Sequence, residues 1–174
     1  KAFAVEFYKN GKLLRNKIKN HPRYPYHLLR EEMQEFILDK LQLLIERKLI
    51  KGIGENGTEY TVIAQILDLP KEILRLIQKF DFTKKNPKLI YINTGETMIS
   101  LQDSILVTFL NLAGFDILFF VPTGYQSVEN YFAEKLMEEH QIGEYKYDMQ
   151  VPDLNNISTN STRPSWRRKL FRRG

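Results

Sequence analysis

Two short apolar runs, Leu89-Ile90-Tyr91-Ile92 and Ile117-Leu118-Phe119-Phe120-Val121, bracket a longer patterned segment at residues 100–112. The runs are rich in β-branched and aromatic residues, and the segment between them is long enough for a helix. The order strand, helix, strand is therefore predicted. Strands that are apolar at every position are expected to be buried on both faces, as in a parallel sheet joined by helical crossovers. Each run is followed by a Thr-Gly pair, Thr94-Gly95 and Thr123-Gly124. Both pairs then fall beyond the carboxyl ends of the strands, where ligands of such sheets sit.

The remaining pattern surrounds this unit. Phe3-Ala4-Val5-Glu6-Phe7 alternates, Asn10-Gly11 suits a type I′ turn, and residues 12–18 supply a return strand with Leu14 and Ile18 as its apolar positions; an N-terminal hairpin is predicted. Pro22 and Pro25 are expected to keep residues 21–26 extended. A helix is predicted over 31–49, with Phe36, Ile37, Lys40, Leu41, Leu44, Ile45 and Lys48 on one face, acids near its start, bases near its end, and Gly52 as its stop. Residues 52–58 read as a flexible turn. Two short helices follow at 60–67 and 70–80, the second opened by Pro70.

Beyond the central unit, Ser127 suits the N-cap of a helix over 128–140 whose inner side is Tyr131, Phe132, Lys135, Leu136 and Met137, with Gly143 at its end. Residues 145–151 alternate and are expected to add an edge strand before Pro152, and residues 155–164 read as an Asn/Ser/Thr-rich linker. The fold class expected is α/β: a small, mainly parallel, Rossmann-like sheet flanked by helices, with an N-terminal hairpin and helical segment. Residues 1–154 are expected to form one domain, divided into a hairpin and helical part (1–86) and a strand and helix part (87–154). Residues 155–174 are read as a flexible linker and basic tail.

Composition narrows the chemistry. The 43% hydrophobic and 12% aromatic content is enough for a packed core. The absence of cysteine removes disulfides, thiolate nucleophiles and cysteine-ligated metals, and fits a reducing compartment. The start, Lys1-Ala2-Phe3, is neither an initiator Met nor a signal peptide, so a fragment of a longer protein is expected. The net charge of +5 belongs to the tail: six of the 26 basic residues lie in residues 163–174, leaving 20 basic against 21 acidic elsewhere. A nucleic-acid-binding body is therefore disfavoured, including a helix-turn-helix reading of residues 60–80.

Several separated segments carry a resemblance: HPRYPYHLL from His21, GFDILFFVPTGYQSVENYF from Gly114, IGEYKYDMQVPDL from Ile142 and RRKLFRRG from Arg167. Together they resemble the C-terminal part of the YceG-like proteins, components of a biosynthetic module encoded in bacterial tellurium-resistance and stress-response clusters. The resemblance implies a bacterial cytoplasmic protein longer than this chain, working beside other stress-operon proteins. It brings no reaction and no catalytic residues, so whether the chain is an enzyme, and with what cofactor, stays open.

The candidate ligand site is drawn from the two turns: Asn93, Thr94, Gly95 and Glu96 from one, Thr123, Gly124, Tyr125, Ser127 and Glu129 from the other. Glycines let the backbone bend and approach a ligand, threonines offer hydroxyls, and a following helix start directs N–H groups at an anion. A phosphorylated or nucleotide-like metabolite fits that chemistry, with Glu96 or Glu129 on a ribose hydroxyl or acting as a base. Equally, Gly and Thr serve ordinary βα turns, and neither turn has the GxGxxG or GxxxxGK[ST] spacing. His21, His27 and His140 show no metal-ligand spacing, so no metal is expected. Arg23-Tyr24-Pro25-Tyr26 suits either stacking on a ring or anchoring a connector. In the tail, Trp166, Leu170 and Phe171 alternate with Arg167, Arg168, Lys169, Arg172 and Arg173. That pattern suits an anionic membrane surface, an acidic partner, or a clip folded back onto the body, and its charge alone equally allows salt-dependent binding to nucleic acid. The competing reading is thus a non-enzymatic protein- or membrane-interaction module, cytoplasmic and peripheral to the inner face of the membrane.

Overall fold

A computed structural model describes residues 3–79, 85–95, 98–125 and 128–151. Among them the chain is a mixed α/β fold with five helices and two small sheets of two strands each. One cluster of buried side chains runs from Ala4 and Phe7 through the helices to Val128 and Phe132.

The N-terminal hairpin keeps its turn and loses most of its strands. Asn10 (φ 51°) and Gly11 (φ 79°) both take the positive φ that a type I′ turn requires. The pairing is confined to β1 (Tyr8–Lys9) and β2 (Lys12–Leu13), which are antiparallel. Ala4–Phe7 is a single 3-10 turn that buries Ala4 and Phe7, not a strand. The expected return strand becomes the short helix α1 (Arg15–Lys19). The helix buries Ile18, and its cations face the following long helix: Arg15 pairs with Glu35 (2.8 Å) and Asp39 (2.6 Å), and Lys19 pairs with Glu35.

That helix, α2 (Glu31–Glu46), buries Ile37, Leu38, Leu41, Leu44 and Ile45. It ends before Gly52. Lys48 takes the left-handed conformation (φ 50°), its N–H donates to Ile45 O (3.0 Å), and Leu49 N–H donates to Leu44 O (3.4 Å). This is the paired bonding of a Schellman cap, with a lysine where glycine is usual. Lys40 does not join the core; its Nζ lies 5.3 Å from the centre of the Phe36 ring.

Helices α3 (Thr58–Ile66) and α4 (Lys71–Lys79) form as predicted. Tyr26 holds them together: its buried hydroxyl donates to Ile66 O at the end of α3 and accepts from Leu69 N–H (3.0 Å) just before α4. Tyr24 and Tyr26 are 5% and 1% exposed, so the aromatic segment is an anchor and has no free ring face to stack on. Helix α4 buries only Ile77 fully, and Leu76 is exposed; it contributes less core than its apolar content suggests.

The central unit matches its prediction. Strand β3 (Lys88–Ile92) and β4 (Asp116–Phe120) are parallel, in register from Lys88 opposite Asp116 to Ile92 opposite Phe120. Between them runs α5 (Leu101–Leu112), whose N-cap Ser100 accepts from Asp103 N–H (3.0 Å). Helix α5 buries Ile105, Val107, Phe109 and Leu110. Two-sided burial of the strands is not found. Leu89, Tyr91, Ile117 and Phe119 are partly buried against the core, whereas Ile90, Ile92, Leu118 and Phe120 are 59%, 39%, 55% and 48% exposed.

The last two predicted elements do not form. Residues 128–140 are not helical; Phe132 makes an antiparallel bridge to Ile50, Lys51 N–H donates to Tyr131 O (2.9 Å), and Ala133 N–H donates to Leu49 O (3.0 Å). Val128 and Phe132 are buried in the core and Met137 packs partly against it, while Glu134, Lys135, Leu136 and Glu138 are exposed. With no continuous apolar face to bury, backbone pairing to the α2–α3 link wins over helix formation. Gly143 accordingly ends no helix. Residues 145–151 form no strand, and Tyr145, Tyr147, Met149 and Val151 are exposed.

Candidate functional site

The parallel register brings the two Thr-Gly turns to the same edge. Asn93 N–H donates to Phe120 O (3.0 Å), extending the ladder one residue past β3, so both chains leave the sheet side by side. In the first turn Gly95 N–H donates to Asn93 Oδ1 (3.2 Å), and Thr94 is half-buried. In the second, Gly124 N–H donates to Val121 O (3.1 Å) and Tyr125 N–H donates to Thr123 Oγ1 (3.3 Å). The Thr123 hydroxyl is thus buried and engaged within its own turn. Tyr125 and Glu129 are exposed. Glu96, Ser127 and the tail from Trp166 to Arg173 lie outside the described residues.

The space left by the missing side chain of Gly124 is used by the protein itself. Gly124 has φ 67°, and a Cβ there would collide with the ring of Tyr145. The adjacent Lys146 N–H donates to Pro122 O (2.8 Å), strapping this segment across the turn. None of the described turn residues is basic. The start of α5 is also already compensated: Ser100 Oγ donates to Asp103 Oδ2 (2.7 Å), putting a carboxylate in the first turn. Burial, and then that neighbouring carboxylate, raise the Tyr91 hydroxyl above the usual phenol range.

A hollow of about 420 Å³ is lined by Lys51, Gly52, Glu55, Asn56, Thr58, Leu101, Asn130 and Tyr131, and by no described residue of either Thr-Gly turn. It joins the starts of α3 and α5. Gly52, Gly54 and Gly57 have φ of 86°, 79° and 79° and stand at GxGxxG spacing immediately before α3. Reading these residues as a flexible turn missed that spacing, which was visible in the sequence. The context of a dinucleotide loop is lacking, because the loop follows α2 and an isolated bridge, not a sheet strand. Its polar groups serve each other: Gly54 N–H donates to the buried Glu59 carboxylate (3.0 Å), Thr58 Oγ1 donates to Asn56 Oδ1 (2.6 Å), and Lys51 Nζ donates to Asn130 O (2.8 Å).

Among the described residues no cluster of His, Asp and Glu is arranged to hold a metal ion. His21 packs against the Phe7 ring with centroids 5.2 Å apart, His27 Nδ1 lies 3.0 Å from Tyr24 O, and His140 is 3.6 Å from Glu138. No described helix is long and apolar enough to cross a membrane.

The family model described as the YceG domain matches residues 1–162. YceG of Bacillus subtilis (strain 168) is 31% identical over 93 residues, which are 52% of this chain and 17% of that protein. The chain thus spans about a sixth of the length of the curated relative it matches. No solved structure matches.

Proposed function

Because the chain belongs to the YceG family, we propose that it is the part of a bacterial stress-response and tellurium-resistance protein that binds a phosphorylated or nucleotide-like metabolite. Its place is the carboxyl edge of β3 and β4, where a Rossmann-like strand–helix–strand unit opens its turns. One observation carries this reading: Ile92 stands opposite Phe120 in parallel register, so both Thr-Gly turns open on one edge. A phosphate would take over the Gly95 and Tyr125 N–H groups from the Asn93 and Thr123 side chains that now accept from them, with Glu129 on a ribose hydroxyl and the exposed rings of Tyr125 and Tyr145 on a base or sugar. Thermal-shift titration with nucleotides and sugar nucleotides tests it. Ligand at a hundred times Kd adds ~2.7 kcal/mol, on the order of 5–10 °C for a chain of this size. The shift should shrink in Glu129→Gln. No shift with any ligand, while the protein remains folded, would end this reading.

The second reading is a non-enzymatic module that joins other stress-operon proteins or, through its basic tail, an anionic membrane surface. The bare apolar face of β3 and β4 favours it, since a face of that kind is what a docking element covers.

A further inference from the structure

The carboxyl edge of β3 and β4 offers a phosphate neutral groups only. Gly95 and Tyr125 supply N–H donors, and no described residue of either turn is basic. The start of α5 has no positive charge to spare, because Asp103 sits in its first turn and is bonded to Ser100. Lys88, the cation of β3, stands at the opposite end of the strands and is paired with Asp116 (2.5 Å). Hydrogen bonds to a phosphate are strongest where the donor is itself charged. In an edge built this way, the compensating cation has to come from another segment of the chain.

Between two left-handed residues, Gly143 (φ 87°) and Asp148 (φ 58°), the chain lays Tyr145 and Lys146 on the second turn. The Tyr145 ring fills the space over Gly124, and Lys146 N–H donates to Pro122 O (2.8 Å). Those two contacts fix the backbone of Lys146 beside Thr123 and Gly124, within reach of a flexible four-carbon side chain. Lys146 is exposed. Glu144 and Asp148 stand two residues to either side of it, and among the described residues no carboxylate pairs with its ammonium. We propose that Lys146 is the cation of the ligand edge: its ammonium binds the phosphate of the metabolite and makes the site select phosphorylated ligands over neutral ones. The assignment rests on the ligand-edge reading and adds to it the residue that sets charge selectivity. A compact ammonium with three donors suits a phosphate approached from one side.

Isothermal titration of the natural polypeptide with ADP and UDP, each compared with its own nucleoside, tests the proposal at low salt. The diphosphates should bind more tightly than adenosine and uridine by on the order of tenfold. Lys146→Met keeps the N–H that bonds Pro122 O and removes only the charge. It should abolish most of that preference and leave the nucleoside affinities unchanged, whereas Lys146→Arg should retain the preference. Lys9→Met removes an exposed cation from the N-terminal hairpin and should change neither. A diphosphate preference undiminished in Lys146→Met would overturn the proposal and leave the ligand edge standing. So would a preference diminished as much in Lys146→Arg or Lys9→Met, or equal binding of diphosphate and nucleoside by the unsubstituted protein. No binding of any of the four compounds would end the ligand-edge reading and this assignment together.

Discussion

Single side chains decide several joints of this fold. Tyr26 is the plainest case: one hydroxyl bridges the end of α3 and the entry to α4. Replacing it in Tyr26→Phe leaves a buried carbonyl and a buried N–H without a partner, which should cost about 1–3 kcal/mol in urea unfolding with an unchanged slope. Burial also raises its ionisation above the phenol range, and pushes that of Tyr24 up to about 12. Both groups lose a proton more readily when unfolded. Their stabilisation is therefore complete below pH ~10 and lost as pH rises beyond it; Tyr26→Phe should flatten that alkaline decline. Gly124 is the second case. Gly124→Ala places a side chain at φ 67° and against the Tyr145 ring, and should cost about 1–2 kcal/mol. Adding Tyr145→Ala should recover the collision and leave the strain, so the two substitutions will be non-additive in a double-mutant cycle. Additivity would mean that Tyr145 does not occupy the turn.

At the scale of elements, ion pairs and backbone pairing explain where local pattern and observed structure part. Helix α1 stands where a return strand is predicted: it buries Ile18 in the core and brings Arg15 and Lys19 to Glu35 on α2. Hydrogen bonds from Lys19 first, and then from Arg15, hold the Glu35 carboxyl below its ordinary value. The stabilisation is present above the unfolded carboxyl's pKa and lost as pH falls through the lowered one. Glu35→Gln should remove that part of the acid sensitivity. Because the pair is partly exposed, the cost at neutral pH should be below ~1 kcal/mol and smaller still in high salt. An acid-unfolding curve identical to wild type would show that the pairs do not hold α1. The segment at 128–140 shows the opposite balance. Its capping pattern was legible, yet its bonds go to Leu49 and Lys51, residues some eighty positions away that no local pattern reveals.

For the whole molecule, the distribution of charge matters more than its sum. The body without residues 163–174 is nearly neutral, so the excess of cations is concentrated in a short segment with Trp166, Leu170 and Phe171. If that segment contacts an anionic membrane, co-sedimentation with vesicles containing phosphatidylserine should fall steeply with salt. It should disappear when residues 163–174 are deleted. Binding that survives the deletion would move the contact to the body, and no binding at any salt would remove the membrane from the second reading.

The sequence alone determined the strand–helix–strand unit, the helices α2, α3 and α4, the Asn10-Gly11 turn and the common edge of the two Thr-Gly turns. Each rests on periodicity, capping or φ preference, which act over a few residues. The resemblance to YceG proteins was likewise carried by local segments and is matched by the family model. Only the tertiary structure decided the rest. It placed Tyr145 over Gly124, set the polar hollow between the starts of α3 and α5, turned a predicted return strand into α1, and paired Phe132 with Ile50. Among the described residues it also left Ile90, Ile92, Leu118 and Phe120, on one face of the parallel pair, exposed. These outcomes depend on contacts between residues distant in the chain, where burial and hydrogen bonding override local preference. An apolar strand states that both its faces can be buried; which face finds a cover is settled by what else is folded beside it.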